Sequence, residues 1–190
     1  MDSDGTANGN HETVAWEDEL APDDHFAIAA LLRDCFPATA RMFTNARTWG
    51  GARPEIRFLV RSRGSVIGHA AVLRRFVRVG DEEQLVGNLG LVAVHPARRG
   101  ERIGRRLMDM CAETVENLRV PYAFANVGRP YLGTGLVAGW RHLTDVRTSF
   151  ITNLQPLCAL RLDYPVLIRP TPAAAPWPDG NLVRIHGGEL

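Results

Sequence analysis

One helix is indicated by apolar residues at three- and four-residue spacing, and strand-like runs lie on both sides of it. The residues on its apolar face are Ile103, Leu107, Met110, Cys111, Thr114, Val115 and Leu118. Pro121 ends this helix. The preceding run, Leu85 to Val94, is almost entirely apolar, which predicts a central strand covered on both faces.

Earlier in the chain, Asp23-Asp24 predicts the start of a helix, and Pro37 its end. Its apolar face is expected to hold Phe26, Ala27, Ala30 and Leu31. Residues 39–54 are rich in Gly, Arg, Asn and Thr and predict a long loop. Two strands are then predicted, Glu55 to Arg61 and Val66 to Val79, joined by a hairpin turn at Arg63-Gly64-Ser65.

After the helix, Val120 to Val127 predicts a second buried strand and Thr148 to Leu154 another β segment. The proline-rich segment 165–190 predicts an extended wrap with little regular structure. The polar residues 1–13 predict a disordered tail. Together the elements predict a single domain, residues 14–190, of the α/β or α+β class, with one mixed, mostly antiparallel sheet flanked by helices.

The composition narrows the classes of function. The 190 residues have a net charge of +1, which gives no polyanion-binding signature, so no nucleic-acid partner is expected. All 22 basic residues are arginine, so a single arginine is weak evidence for anion recognition. The three cysteines have no metal-ligand spacing. No signal peptide or membrane-spanning run occurs, which predicts a cytoplasmic protein without integral membrane association.

The turn His95-Pro-Ala-Arg-Arg-Gly-Glu-Arg-Ile-Gly104 joins the central strand to the helix. A helix N-terminus leaves about four backbone N–H groups without intrahelical partners and carries partial positive charge, so it attracts phosphate. Arg99, Arg102, Arg105 and Arg106 oppose that dipole unless an anion compensates them. The alternative is that these arginines point into water.

This strand, turn and helix resemble the acyl-donor motif of the GNAT acyltransferase superfamily, (R/Q)xxGx(G/A). The resemblance implies a GNAT-like fold in which the strand pairs with pantetheine amides and the turn binds the phosphate of the donor. Arg99 occupies the R/Q place and Gly104 the G/A place, whereas Arg102 replaces the middle glycine. The donor-binding residues implied are Val92, Val94, Arg99, Gly100, Arg102, Ile103, Gly104 and Arg105.

A second resemblance covers residues 14–190. The segments Trp49–Arg57, His69–Gly80, Val120–Phe124 and Trp177–Gly180 are similar to the nodulation protein A family. This resemblance implies an N-acyltransferase that moves a fatty acyl group from an acyl-carrier-protein thioester to the free amine of a glucosamine unit in a chitooligosaccharide. The thioester is then a cosubstrate, and no tightly bound cofactor is expected.

Amine acylation needs a neutral amine, and hence a general base or a water relay. His69, in an apolar strand, is one candidate base, although such a histidine is often structural. Glu55 is a candidate base or an anchor for the sugar amine, with a salt bridge to Arg53 or Arg57 as the alternative. Tyr131 is a candidate acid toward the leaving thiolate. Asn88 stands where many GNAT enzymes carry a glutamate, and an amide cannot act as a base.

Trp49, Arg53 and Asn88 are the expected acceptor-binding residues. Trp49 and Trp177 could stack on sugar rings or simply pack. Arg74-Arg75 could meet an acidic carrier protein or form a solvated strand face. Two other functions remain open: a coenzyme A-dependent N-acetyltransferase acting on an aminoglycoside or other small amine, and a catalytically silent module that binds acyl thioesters or their carrier.

Overall fold

A mixed sheet of ten strands organises the part of the chain that the computed structural model describes, residues 9–129, 132, 139–151, 159–162, 164–188 and 190. The strands are β1 (His11–Trp16), β2 (Ile56–Ser62), β3 (Ser65–Val79), β4 (Glu82–Val94), β5 (Tyr122–Asn126), β6 (Arg141–Leu143), β7 (Arg147–Ile151), β8 (Ala159–Leu162), β9 (Val166–Pro170) and β10 (Leu182–Ile185). The helices are α1 (Pro22–Cys35) and α2 (Ile103–Asn117), with short 3-10 turns at Glu17–Glu19, Pro37–Met42 and Pro96–Arg98.

The long strand β3 is the centre of the sheet. It pairs along its length with β4, while its opposite edge is shared by β2, at Ser65–Val72, and β10, at Val77–Val79. The strand order is β6-β9-β5-β4-β3-β10-β7-β8, and β1 and β2 extend from β3. Most of these pairs are antiparallel, and the exceptions are β4 with β5 and β7 with β10. The structure confirms the predicted mixed, mostly antiparallel sheet.

The two helices cover opposite faces of this sheet. α2 buries the side predicted from its spacing, including Leu107 and Cys111, against β2, β3, β4 and β5. α1 packs on the other face beside Leu59, Val66 and Ala93. Each helix therefore uses one apolar stripe to close one face of the sheet.

The parallel strands β4 and β5 separate toward their carboxyl ends. Their pairing stops at Leu89 and Ala125, although β4 continues to Val94. In the same stretch the register between β3 and β4 shifts, and Leu91 has a φ of 53°. The last third of β4 therefore combines a bulge with an edge that β5 does not cover.

Three details differ from the sequence-based expectations. β1 begins at His11, inside the segment 1–13 assigned to a tail. The sequence pattern did not indicate this strand, because an edge strand with one neighbour stays exposed and largely polar. α1 buries Ile28, Ala29, Leu31 and Leu32, whereas Phe26 is 52% exposed, so the predicted apolar face is displaced. Its start is set by Pro22 and by the Asp24 carboxylate, which accepts from the Ala21 N–H.

The proline-rich segment 165–190 is the third difference, because it contains strands β9 and β10. Pro165 precedes β9 and Pro170 ends it, so neither ring removes a ladder bond from the middle of the strand. β9 pairs with β5 and β6 and so lies inside the sheet. No helix in the described part of the chain combines the length and apolar character that crossing a membrane requires.

Gly87 in β4 is a packing requirement that can be tested. A Cβ at this position would lie 2.3 Å from Cγ2 of Val115 on α2. Because Val115 is β-branched and buried, we expect Gly87→Ala to lower the free energy of unfolding by about 1–3 kcal/mol.

The control is Gly104→Ala in the first turn of α2, where the added Cβ would lie 3.6 Å from Val94 Cγ2. This change should leave stability unchanged or raise it by up to about 1 kcal/mol. Urea unfolding of both variants measures the difference, and equal midpoints would refute this account of the contact.

Candidate active site

The free edge of β4 leads directly into the turn before α2. Val92 and Val94 lie on this edge and pack partly against the α2 side of the core. Beyond Leu89, the backbone facing β5 has no strand partner among the described residues. Such an edge can accept an extended ligand with amide groups by strand addition.

The turn itself has the backbone of an anion site. Gly100 has a φ of 88°, and, its chain neighbours apart, no atom of the described residues lies within 4 Å of the place where its Cβ would stand. Arg102, the N-cap of α2, has a φ of 62°, a left-handed conformation that favours glycine. The side chain of Arg102 does not cap this helix, so the N–H groups of its first turn, Ile103, Gly104 and Arg105, receive no capping bond from the N-cap residue.

Ion pairing separates the arginines around this turn into two groups. Arg98 pairs with Glu101, Arg105 with Asp109, and Arg106 with Glu12 and Glu113. Arg99 and Arg102 have no carboxylate partner within residues 9–129 or the other described ranges, and Arg99 lies beside the Cys35 thiol. Two cations near the open N-terminus of α2 thus remain available for an anion.

A buried polar network lies on the α1 side of the sheet, beside the apolar residues that α1 covers. Arg57 on β2 is fully buried, and its Nη2 donates to Oε1 of Glu17 at 3.1 Å and to the Thr48 hydroxyl at 2.8 Å. Its Nη1 donates to Nε2 of His69 at 3.1 Å. The guanidinium also lies 5.9 Å from the ring centre of Trp49. The network connects the end of β1, the loop before β2, and β3.

His69 lies inside this network with no exposed surface. Its Nδ1 donates to the backbone oxygen of Leu91 at 2.9 Å, and its Nε2 accepts from Arg57. Burial, and secondarily the charge of Arg57, lower the pKa of His69 to about 3. With both ring nitrogens engaged and no exposed surface, the geometry does not support a general base at this position.

Glu55 remains accessible, because about a third of its side chain is exposed. Its Oε2 lies 2.9 Å from Nε of Arg74 and accepts from the Arg74 backbone N–H at 3.1 Å. The sequence alternatives of Arg53 or Arg57 as its ion-pair partner are therefore wrong, since both of those arginines lie against Glu17. Arg74 therefore forms an ion pair with Glu55 and is not part of a simple solvated strand face.

Asn88 lies in the centre of β4 and is 4% exposed. Its Nδ2 donates to the oxygen of Leu89, and its Oδ1 has no hydrogen-bond partner in the described structure. Gly90, two residues on, shares the same face of β4, and Leu190 covers it, with its Cβ 2.7 Å from the place where a Gly90 Cβ would stand. The segment before Leu190 is held by Arg75, which donates to the Gly188 oxygen at 2.8 Å.

The remaining residues predicted for the site are two tryptophans, Trp49 and Trp177, and Tyr131. Trp49 is partly exposed, and its ring centre lies 5.8 Å from the guanidinium of Arg53 and 5.9 Å from that of Arg57. Trp177 is partly buried and packs against the core, edge-on to Tyr122 and parallel to Phe124. Tyr131 lies outside the described residues.

Sequence reasoning missed Glu17 and Thr48 and named Arg57 only as a possible salt-bridge partner of Glu55. A signal was present, because Arg57 and His69 each interrupt an otherwise apolar strand. Two polar residues at buried positions of neighbouring strands must satisfy one another or find partners nearby. What the pattern did not contain was the distant carboxylate, 40 residues earlier in the chain.

Comparisons of the sequence agree with the second resemblance. The profile of the family described as Nodulation protein A (NodA) matches residues 11–190. The chain is 34% identical to Nodulation protein A of Sinorhizobium terangae over 94% of this chain and 96% of that protein. It is also 34% identical to Nodulation protein A of Rhizobium tropici, over 93% and 96%.

Comparisons of the structure show the fold. The GNAT family N-acetyltransferase YhbS from Escherichia coli, solved in complex with CoA, superposes with a TM-score of 0.64 at 20% identity, over 95% of this chain and 93% of that one. An acyl-CoA N-acyltransferase from Pseudomonas aeruginosa superposes with a TM-score of 0.58 at 15% identity, over 85% and 99%. The predicted GNAT-like fold is confirmed.

The lowered pKa of His69 predicts a pH-dependent contribution to stability. The unfolded histidine binds a proton below its ordinary pKa of 6.5, whereas the folded one does so only near 3. The contribution is therefore complete above pH 6.5 and is lost as the pH falls. Between pH 7 and pH 5 it should amount to about 2 kcal/mol.

Urea unfolding of the wild type and of His69→Gln at pH 7, 6 and 5 measures this contribution. The fall in the free energy of unfolding should be shallower in the variant by about 2 kcal/mol. His11→Gln, which removes an exposed histidine from β1, is the control. Parallel pH profiles for the wild type and His69→Gln would contradict the assignment.

Proposed function

The chain belongs to the nodulation protein A family and is an N-acyltransferase with the GNAT fold, and we propose that it transfers a fatty acyl group from an acyl-carrier-protein thioester to the free amine of a glucosamine unit. The acceptor is a chitooligosaccharide or a related amino sugar. The observation that carries this proposal is the match to one family over residues 11–190.

The donor side of the proposal is supported by the β4 edge and the α2 turn. A phosphopantetheine arm carries two amides and one phosphate, and the edge at Val92 and Val94 leads straight to the open N-terminus of α2. The thioester then lies toward the point where β4 and β5 meet, near Leu89 and Ala125. Arg99 and Arg102 are the cations that accompany the phosphate.

The carrier-borne donor is favoured over coenzyme A by Arg102. Coenzyme A brings a diphosphate and an adenosine to this turn, whereas the carrier-borne arm brings a single phosphate. A side chain at the N-cap of α2, where the superfamily pattern has glycine, occupies space beside that phosphate. Coenzyme A is the second candidate donor, since the similar fold of YhbS was solved in complex with CoA.

The reaction is direct attack by the amine on the thioester carbonyl. The new C–N bond forms, the C–S bond breaks, the amine loses one proton, and the pantetheine thiolate leaves and takes up one proton. Glu55 is the proposed acceptor of the amine proton, because its carboxylate is partly exposed. It lies two strands from Asn88, about 10 Å across the sheet, so a water relays the proton.

The acceptor contacts are proposed at Asn88, Trp49 and Arg53. The buried Oδ1 of Asn88 is free to accept from an amine N–H, and Trp49 offers an aromatic surface to a sugar ring. A cleft of about 770 Å³ beside the start of β9, with His142, Asp145 and Tyr164 in its lining, has room for further sugar units. Its mixed polar lining suits a hydrated sugar better than an acyl chain.

The direct test is an acylation assay followed by mass spectrometry. The purified protein is incubated with acyl-carrier protein or with acyl-coenzyme A, each with a chitooligosaccharide that has one free amine. We expect acylation of that amine, fastest with the carrier-borne donor. The fully N-acetylated oligosaccharide is the matched negative control, and Glu55→Gln should bind the donor and lose turnover.

Three results would change the conclusion. If neither donor acylates an amino sugar while acetyl-coenzyme A acetylates an unrelated amine, the proposal fails in favour of a small-amine acetyltransferase. Donor binding without transfer to any amine would instead identify a silent thioester-binding module. Equal rates with both donors would overturn the preference for the carrier.

The role of Arg102 is tested by Arg102→Gly. Relief of the left-handed strain should raise the free energy of unfolding by about 1 kcal/mol. The relative rate with acyl-coenzyme A should rise, because the turn gains room for a diphosphate.

Arg119→Gly is the matched control. Arg119 follows the other end of α2, is exposed, and has a φ of 56°. Its replacement should bring the same gain in stability with no change in donor preference. An unchanged donor preference in Arg102→Gly, or the same change in both variants, would show that the side chain at the N-cap does not select the donor.

A further inference from the structure

We propose that His69 is a positioning residue that holds the bulge of β4 at Leu91, and thereby keeps the donor edge of β4 open. The donor-binding role of this edge rests on the proposed function. The support of Leu91 by His69 rests only on the contacts of His69. His69 does not touch the donor. It acts through the backbone of Leu91.

A continuous chain of hydrogen bonds runs from the turn after β1 through β2 and β3 to this bulge on β4. It starts at the carboxylate of Glu17, which follows β1, and passes through the guanidinium of Arg57 on β2. It continues to Nε2 of His69 on β3, and Nδ1 on the same ring donates to the oxygen of Leu91 on β4. The side chains of Glu17, Arg57 and His69 are buried, so water does not compete for the bonds between them.

Leu91 needs such support because its backbone is in the left-handed region. A φ of 53° is unfavourable for a side chain with a Cβ, and nothing in the residue type itself stabilises it. The register of β3 and β4 shifts at this place, between His69 and Ala71. The imidazole therefore lies where the bulge needs a side-chain donor to replace a missing ladder bond.

The bulge determines the course of the donor edge. Pairing of β4 with β5 ends at Leu89, two residues before the bulge, and Val92 and Val94 follow it on the uncovered edge. A regular strand through Leu91 would continue beside β5 and close the gap. The contact from His69 thus joins the buried network on one face to the donor site at the edge.

Histidine fits this position because its neutral ring offers one donor and one acceptor in a fixed geometry. Arg57 can only donate, so it fixes the tautomer that places the proton on Nδ1, toward Leu91. Asparagine can place an amide N–H near the position of Nδ1, and glutamine can place an oxygen near that of Nε2. The two amides therefore separate the contact with Leu91 from the contact with Arg57.

The experiment compares His69→Asn, His69→Gln and the wild type. Binding of phosphopantetheine alone is measured by calorimetry, hydrogen exchange reports the amides of residues 90–94, and acyl-transfer kinetics give kcat and the donor KM. We expect His69→Gln to lose donor affinity about tenfold or more and to change exchange at 90–94, while His69→Asn stays within about threefold. At saturating donor, kcat and its pH profile should remain close to those of the wild type.

Coupling to Leu91 gives a second measurement. Leu91→Gly removes the backbone penalty, so the loss of donor affinity from His69→Gln should be smaller in that background. His11→Gln controls for the loss of a histidine that is exposed and outside the network. If His69→Gln alone is too unstable to assay, its effect is measured in the Leu91→Gly background, by comparing the double variant with Leu91→Gly.

The proposal is overturned if kcat falls in both amide variants while phosphopantetheine binding is unchanged, since that pattern belongs to a general base. It is also overturned if the effects of His69→Gln and Leu91→Gly are simply additive. Failure of the proposed function gives a different result. If the wild type binds no phosphopantetheine and acylates no amine, exchange at residues 90–94 still decides whether His69 holds the bulge.

Discussion

The buried ion pair between Arg57 and Glu17 is the interaction on which the functional half of the sheet depends. A guanidinium without solvent contact requires a charge partner and full use of its donors, and removing one partner of such a pair commonly costs about 3–5 kcal/mol. Here the donors reach the end of β1, the loop at Thr48 and the ring of His69. Satisfying one buried charge therefore fixes three segments that are remote from each other in sequence.

The buried Arg57 network also makes the two faces of the sheet chemically different. The α2 face is apolar, and α2 contributes its open N-terminus at the edge. The α1 face contains the buried network, with Gly90 of β4 under Leu190. In the proposed reaction the thioester and the amine approach β4 from different directions, on either side of the bulge at Leu91.

The sequence pattern was reliable where a single element determines its own burial. The spacing of α2, the apolar run of β4 and the hairpin of β2 and β3 each predict the observed element, because period and face follow from one segment. The pattern was unreliable for β1 and β9, an edge strand and a strand bounded by prolines. In both, the burial of the strand depends on neighbours that are distant in the chain.

The site shows the same division. The sequence alone determined the turn between β4 and α2, because strand, glycines and helix are contiguous and the physics of a helix N-terminus is local. It also singled out His69 as a polar residue in an apolar strand. Only the tertiary structure shows what surrounds His69, since its partners come from β2 and β4 and its burial depresses its pKa. Whether a histidine can act as a general base or as a positioning residue depends on which atoms surround it. Packing between neighbouring strands determines those atoms.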